Sequence, residues 1–294
     1  MTKPVLQPIW DIRNAARNPI NRKLNTVILS LPRSGSTKLA GWFSQNEFVC
    51  YGETYTEFDN NYHYKHSGID YNNTKDFRSF SPDKKIDNFL AARIRSTPAP
   101  VCIKVQLQQL YNCHERTMVA DRLFLRNSFP NCVYIYRKNA HELVTSLLLA
   151  KIKNAFDIYA ATNAPNYYEP VTIKLKDYID AAKDTYRYWS QLIYFPVFTG
   201  NNEMWVTYED DILPLEFPDP DTAIKPMPDK NNIITNILEL QAYYNENLAK
   251  GFEELEIEYM RRREDSKQKW QAFLLSTAKY REMFNEIKKH FTES

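Results

Sequence analysis

The chain has 294 residues, 43% of them apolar and 14% aromatic, with 38 basic against 36 acidic side chains. This is enough apolar material for one α/β domain with helical additions, and it excludes a disordered chain. A net charge of +2 excludes the clustered basic excess expected of a nucleic-acid or anionic-membrane binder, so any anion site must be local.

Residues 1–25 contain Pro4, Pro8, Asp11 and Pro19 and no continuous apolar run. They predict an N-terminal arm with no signal peptide or membrane anchor, hence a soluble, cytoplasmic protein. Four cysteines, Cys50, Cys102, Cys113 and Cys132, lack the spacing of a zinc site or a disulfide scaffold and are read as free thiols, Cys102 and Cys132 inside strands.

The first regular element is the apolar run Thr26–Ser30, which suits a buried parallel strand. A polar turn, Leu31-Pro32-Arg33-Ser34-Gly35-Ser36-Thr37, leads into a helix expected from Thr37 with Leu39, Trp42 and Phe43 inward. A second strand is read in Phe48–Glu53, and the polar stretch from Asp59 to Pro82 predicts a long surface loop. Val101–Val105 and Cys132–Tyr136 are further strands, each followed by a helical pattern, and Met204–Tyr208 is another. Asn139 and Glu142 have capping-box spacing, which starts a helix near Ala140. Strands alternating with helices predict an α/β fold: a central parallel sheet of P-loop type flanked by helices, with ligands along the edge formed by the strand C-termini.

From Glu209 to Asp229 there are five prolines and seven acidic residues, which predict neither helix nor strand. Beyond it, Ile233, Ile234, Ile237 and Leu238 open one helix, and Trp270, Phe273, Leu274, Tyr280, Phe284, Ile287 and Phe291 follow helical spacing in another. The expected organisation is therefore an arm (1–25), an α/β core (26–210), a linker or wrapped loop (211–232) and a helical C-terminal extension (233–294). Those helices would pack on the core or join a second copy in a homo-oligomer.

The turn after the first strand makes a concavity of backbone N–H groups at a helix N-terminus, which is an anion site. Ser34, Ser36 and Thr37 add hydroxyl donors, and Arg33 adds a planar fork suited to phosphate or sulfate oxygens. A Walker A loop needs an early Gly and a Lys after its second Gly; here no Gly precedes Gly35 in the turn and Ser36 follows it. The turn resembles instead the 5′-phosphosulfate-binding loop of sulfotransferases, in the Pro-Arg-Ser-Gly-Ser-Thr form of carbohydrate and bacterial members. The stretch Val133–Ser146 resembles the same family's 3′-phosphate anchor, a strand, an Arg, a short turn and a helix carrying Ser. Arg137 and Ser146 lie nine positions apart where the family has eight, so aligning on the strand selects Arg137 and aligning on the helix cap selects Lys138. Trp205–Asp210 is similar to the family's late strand ending in Tyr-Glu-Asp, and Cys102–Gln106 to the middle strand that carries a catalytic His in cytosolic members. Gln106 stands where that His would be.

The resemblance implies a sulfotransferase that takes a sulfuryl group from 3′-phosphoadenosine 5′-phosphosulfate (PAPS) without a metal and passes it to a hydroxyl of a small acceptor, with a carbohydrate favoured. It implies donor contacts from Arg33, Ser34, Gly35, Ser36, Thr37, Lys38, Arg137, Lys138 and Ser146, with Arg33 also catalytic. Glu53 is the implied base, its counterpart in some members standing just past the second strand; His63, His66 and His114 are fallbacks. Two other readings stay open: a P-loop small-molecule kinase, and a catalytically silent binding or assembly protein of the same fold.

Overall fold

The computed structural model describes residues 22–53, 94–95, 97, 99–107, 125–153, 169–194, 202–217 and 233–292, without the side chains of 51–53, 287–288 and 290–292. In chain order the elements are β1 (Thr26–Ser30), α1 (Ser36–Gln45), β2 (Val49–Glu53), β3 (Val101–Gln106), β4 (Asn131–Tyr136), α2 (Ala140–Ile152), α3 (Leu175–Tyr194), β5 (Asn202–Thr207), α4 (Ile237–Asn247) and α5 (Ala249–Thr292). The strands form one parallel sheet, as the alternation of strands and helices predicts, and their order is β2-β3-β1-β4-β5. β1 and β4 are buried at every position, the reason their sequences read as unbroken apolar runs.

Alternation within each strand splits the core into two layers. Val27, Leu29, Tyr134, Tyr136 and Trp205 face one side, where Trp189 of α3 and Phe252 and Tyr259 of α5 cover them. Ile28, Val133, Ile135, Met204 and Val206 face the other, against Leu39, Trp42 and Phe43 of α1 and Trp270, Phe273 and Tyr280 of α5. The 44-residue α5 therefore supplies both layers, passing from one face of the sheet to the other along β5. Where it passes the edge strand, Ser266 Oγ accepts from the Trp205 N–H at 2.9 Å, and Tyr259 donates to the carbonyls of Tyr134 (2.8 Å) and Val206 (2.9 Å). Edge groups that another chain would otherwise pair with are thus engaged within the molecule.

Two expectations need correction. Ile233 and Ile234 do not open a helix: Ile234 makes an isolated bridge to Val171, and the Asn236 side chain bonds both the N–H and the C=O of Ile173, so these residues form turns held to 171–173 and α4 begins only at Ile237. Leu238 does lie in the first turn of α4, where it is 82% exposed. The proline-rich acidic stretch does not resist helix throughout either, because Tyr208–Ile212 forms a π-helical turn. Thr207 caps it by accepting from the Asp210 N–H, and the Asp211 carboxylate accepts from the Thr207 N–H at 2.8 Å. Residues 218–232, and with them the remainder of the predicted linker, lie outside the described residues, as do residues 1–21 of the arm, the 59–82 loop and Cys113. Cys50, Cys102 and Cys132 are free thiols, the last two buried. Among the described residues no helix is long and apolar enough to cross a membrane.

Candidate functional site

β1 is central, and successive strands are laid first on one side of it (β2, then β3) and then on the other (β4, β5). The direction reverses at β1, and in open parallel sheets ligands bind in the crevice outside the strand C-termini at such a point. Three segments meet there: residues 31–35 after β1, Gln106 at the end of β3 (paired with Ser30), and Arg137-Lys138 after β4.

The β1–α1 turn is tightly closed. Ser34, fully buried, turns both its N–H and its hydroxyl onto the Leu31 carbonyl, so its hydroxyl holds the turn's shape. Arg33 and Gly35 both have left-handed backbone, φ 66° and 89°. Only Gly serves at 35, since a Cβ there would lie 2.1 Å from Cδ2 of Tyr208. The N-terminus of α1 has no side-chain cap and no acidic residue in its first turn, so its N–H groups and dipole are left for an anion. Ser36 is buried at the start of the helix and Thr37 is exposed.

The two anchors predicted a hundred residues apart touch each other. Arg33 Nε donates to Ser146 Oγ at 3.3 Å, and Arg137 Nη1 donates to the Arg33 carbonyl at 2.9 Å. α2 starts at Ala140 as expected, with Asn139 Oδ1 accepting from the Glu142 N–H at 2.9 Å. Arg137 pairs with Glu142, lies 3.9 Å from Glu209, and stacks on the Tyr208 ring at 5.1 Å. Lys138 pairs with Asp210 at 2.6 Å, a bond that, ahead of weaker charge effects, holds the Asp210 carboxyl below the usual range. Glu209 accepts from the Lys138 N–H at 3.1 Å, so Tyr208-Glu209-Asp210 is a scaffold for both anchors.

Lys38 departs from the cluster: its ammonium donates to the Leu213 carbonyl at 2.6 Å and lies 5.6 Å from the Phe217 ring centroid, and burial lowers its pKa. Lys104, which sequence reasoning passed over, sends its ammonium from β3 to Thr37 Oγ1 at 3.2 Å. Its signal was available, a lone charge in an otherwise apolar parallel strand. The Glu53 backbone ends β2 opposite Lys104, but its side chain lies outside the described residues, as do His63, His66 and His114. Among the described residues no cluster of His, Cys, Asp or Glu is arranged to hold a metal ion. No family model, curated protein or solved structure matches the chain.

Proposed function

We propose that the chain is a PAPS-dependent sulfotransferase acting on a hydroxyl of a small acceptor, with a carbohydrate the favoured class. The observation that carries this reading is the contact of Arg33 with Ser146 at 3.3 Å, which joins a 5′-phosphosulfate-type loop to a 3′-phosphate-type turn at the switch point of the sheet. A donor with anionic groups at the 3′ and 5′ positions of one ribose needs anion anchors from two different segments brought to one crevice. A nucleoside triphosphate needs them in a line along one loop.

The residues present fit such a donor. The uncapped α1 N-terminus, the Arg33 guanidinium and the Lys104 ammonium beside Thr37 offer positive charge for the 5′ side, and Ser146 with Arg137 or Lys138 offers donors for the 3′ side. When bound, the donor supplies the sulfuryl group. The chain's part is positioning and electrostatic stabilisation: Arg33 and the loop N–H groups stabilise negative charge that grows at the 5′ end. Glu53, at the end of β2, would take the acceptor's proton.

Calorimetric titration with adenosine 3′,5′-bisphosphate tests the reading, with ATP plus magnesium in parallel. Binding of the bisphosphate without metal, weakened about a hundredfold in Arg33→Ala, is the expected result, since a charge-assisted contact is removed. Binding of ATP-magnesium with no binding of the bisphosphate would replace the sulfotransferase with a kinase. Bisphosphate binding without turnover on any acceptor would favour the silent binding protein.

A further inference from the structure

Resting on that reading, we infer that Arg137 is a positioning residue that braces the 5′-side loop, and that Lys138 is the cation for the donor's 3′-phosphate. The outer nitrogens of the Arg137 fork are engaged and the inner one is shielded. Nη1 donates to the Arg33 carbonyl, Nη2 pairs with Glu142, and Nε, buried and without a hydrogen bond of its own, lies 3.9 Å from Glu209. One face of the guanidinium is covered by Tyr208 at 5.1 Å, and the side chain is 13% exposed. A phosphate could reach this fork only by separating Arg137 from Glu142 or by displacing the groups that bury Nε, and either would disturb the turn.

What Arg137 does hold is informative. Arg33 has φ 66°, a left-handed backbone that a non-glycine residue adopts at a cost and keeps only when its surroundings fix it. The bond from Arg137 to the Arg33 carbonyl is one such restraint. Tyr208 is the other, since the same ring that stacks on Arg137 fills the space beside Gly35. Glu142 in turn is fixed by the cap of α2. The chain of contacts runs from the α2 cap through Glu142 and Arg137 to the Arg33 backbone, and the product is the direction in which the Arg33 side chain leaves the loop, toward Ser146.

Lys138 is differently placed. Its side chain is 31% exposed, and its ammonium has three donors, one of which goes to Asp210. It can turn to a phosphate without dismantling the turn, because its backbone N–H is held separately by Glu209.

The two roles separate by comparing a ligand with a 3′-phosphate, adenosine 3′,5′-bisphosphate, with one lacking it, adenosine 5′-phosphosulfate. Calorimetry on the wild type, Arg137→Lys and Lys138→Ala gives the affinity of each for both. A brace predicts that Arg137→Lys weakens both ligands by a similar factor, about tenfold, because the common 5′-side loop is disturbed. Lys138→Ala should weaken the bisphosphate alone. Selective loss of the bisphosphate in Arg137→Lys would overturn the inference and leave the sulfotransferase reading standing. If Arg137→Lys fails to fold, Lys138→Ala still decides: unchanged preference for the bisphosphate overturns the assignment, and loss of that preference supports it. A wild type that binds neither ligand overturns the reading and the inference together.

Discussion

At the scale of single residues, Gly35 is the most constrained position in the site. Its φ of 89° and the Tyr208 ring 2.1 Å from a would-be Cβ act together, so a methyl group meets both backbone strain and an aromatic ring that cannot retreat without releasing Arg137. Gly35→Ala is expected to lose about 1–3 kcal/mol of stability in a urea titration and to weaken bisphosphate binding beyond calorimetric detection. Glu203 gives a prediction of opposite sign. It is half-buried in β5, one carboxylate oxygen has no hydrogen-bond partner, and burial raises its pKa. A carboxyl whose pKa is raised on folding binds more protons folded than unfolded, so it costs stability above the unfolded value and the cost disappears as pH falls below that value. Glu203→Gln should therefore raise the melting temperature at neutral pH and give little or no gain at pH 3; an equal gain at both would show that charge is not the cause.

At the scale of elements, the notable pairing is β5 with α5. Ser266 is buried and accepts the Trp205 N–H of the edge strand, with a longer contact of its hydroxyl to the Trp205 carbonyl at 3.3 Å. Ser266→Ala leaves a buried N–H without that acceptor, a loss expected to cost about 1–3 kcal/mol in chemical denaturation. The same variant should exchange the Trp205 amide proton faster than the amides of β1. If its exchange is unchanged, the helix does not protect the edge. α5 was only partly legible in the sequence: Trp270, Phe273 and Tyr280 show the helical period, whereas 249–269 mixes Gly251 with a dense run of charges and hides Phe252, Leu255 and Tyr259. The period is diluted because the buried side of the helix changes as it rounds the sheet edge, so no single face stays apolar along its length.

For the molecule as a whole, the strands were legible because a buried parallel strand is apolar on both sides, which β1 and β4 show through their centres and β3 shows apart from Lys104 and Gln106. Their order was not, since pairing is decided by which helices cover which face and leaves no mark in any one segment. The site divides the same way. Arg33, Gly35 and Ser146 were legible as anion-binding residue types at a strand-to-helix turn, but the bond from Arg137 to the Arg33 carbonyl was not, because a backbone acceptor has no residue identity to recognise. Since α5 contributes large side chains to both core layers, neither layer is complete without it. Unfolding is expected to be a single transition, with fluorescence from Trp189 on one face and Trp42 on the other melting together; separate midpoints in single-tryptophan variants would show two independent halves.

The same helix sets an order on synthesis. β5 is made before the segment that shields its edge, and the hydroxyl that receives the Trp205 N–H follows 61 residues later. Until those residues emerge, a growing chain carries an open strand edge and two unfinished layers. This interval is when pairing with a neighbouring nascent chain competes with folding, and it is where a chaperone's grip on the chain would matter most.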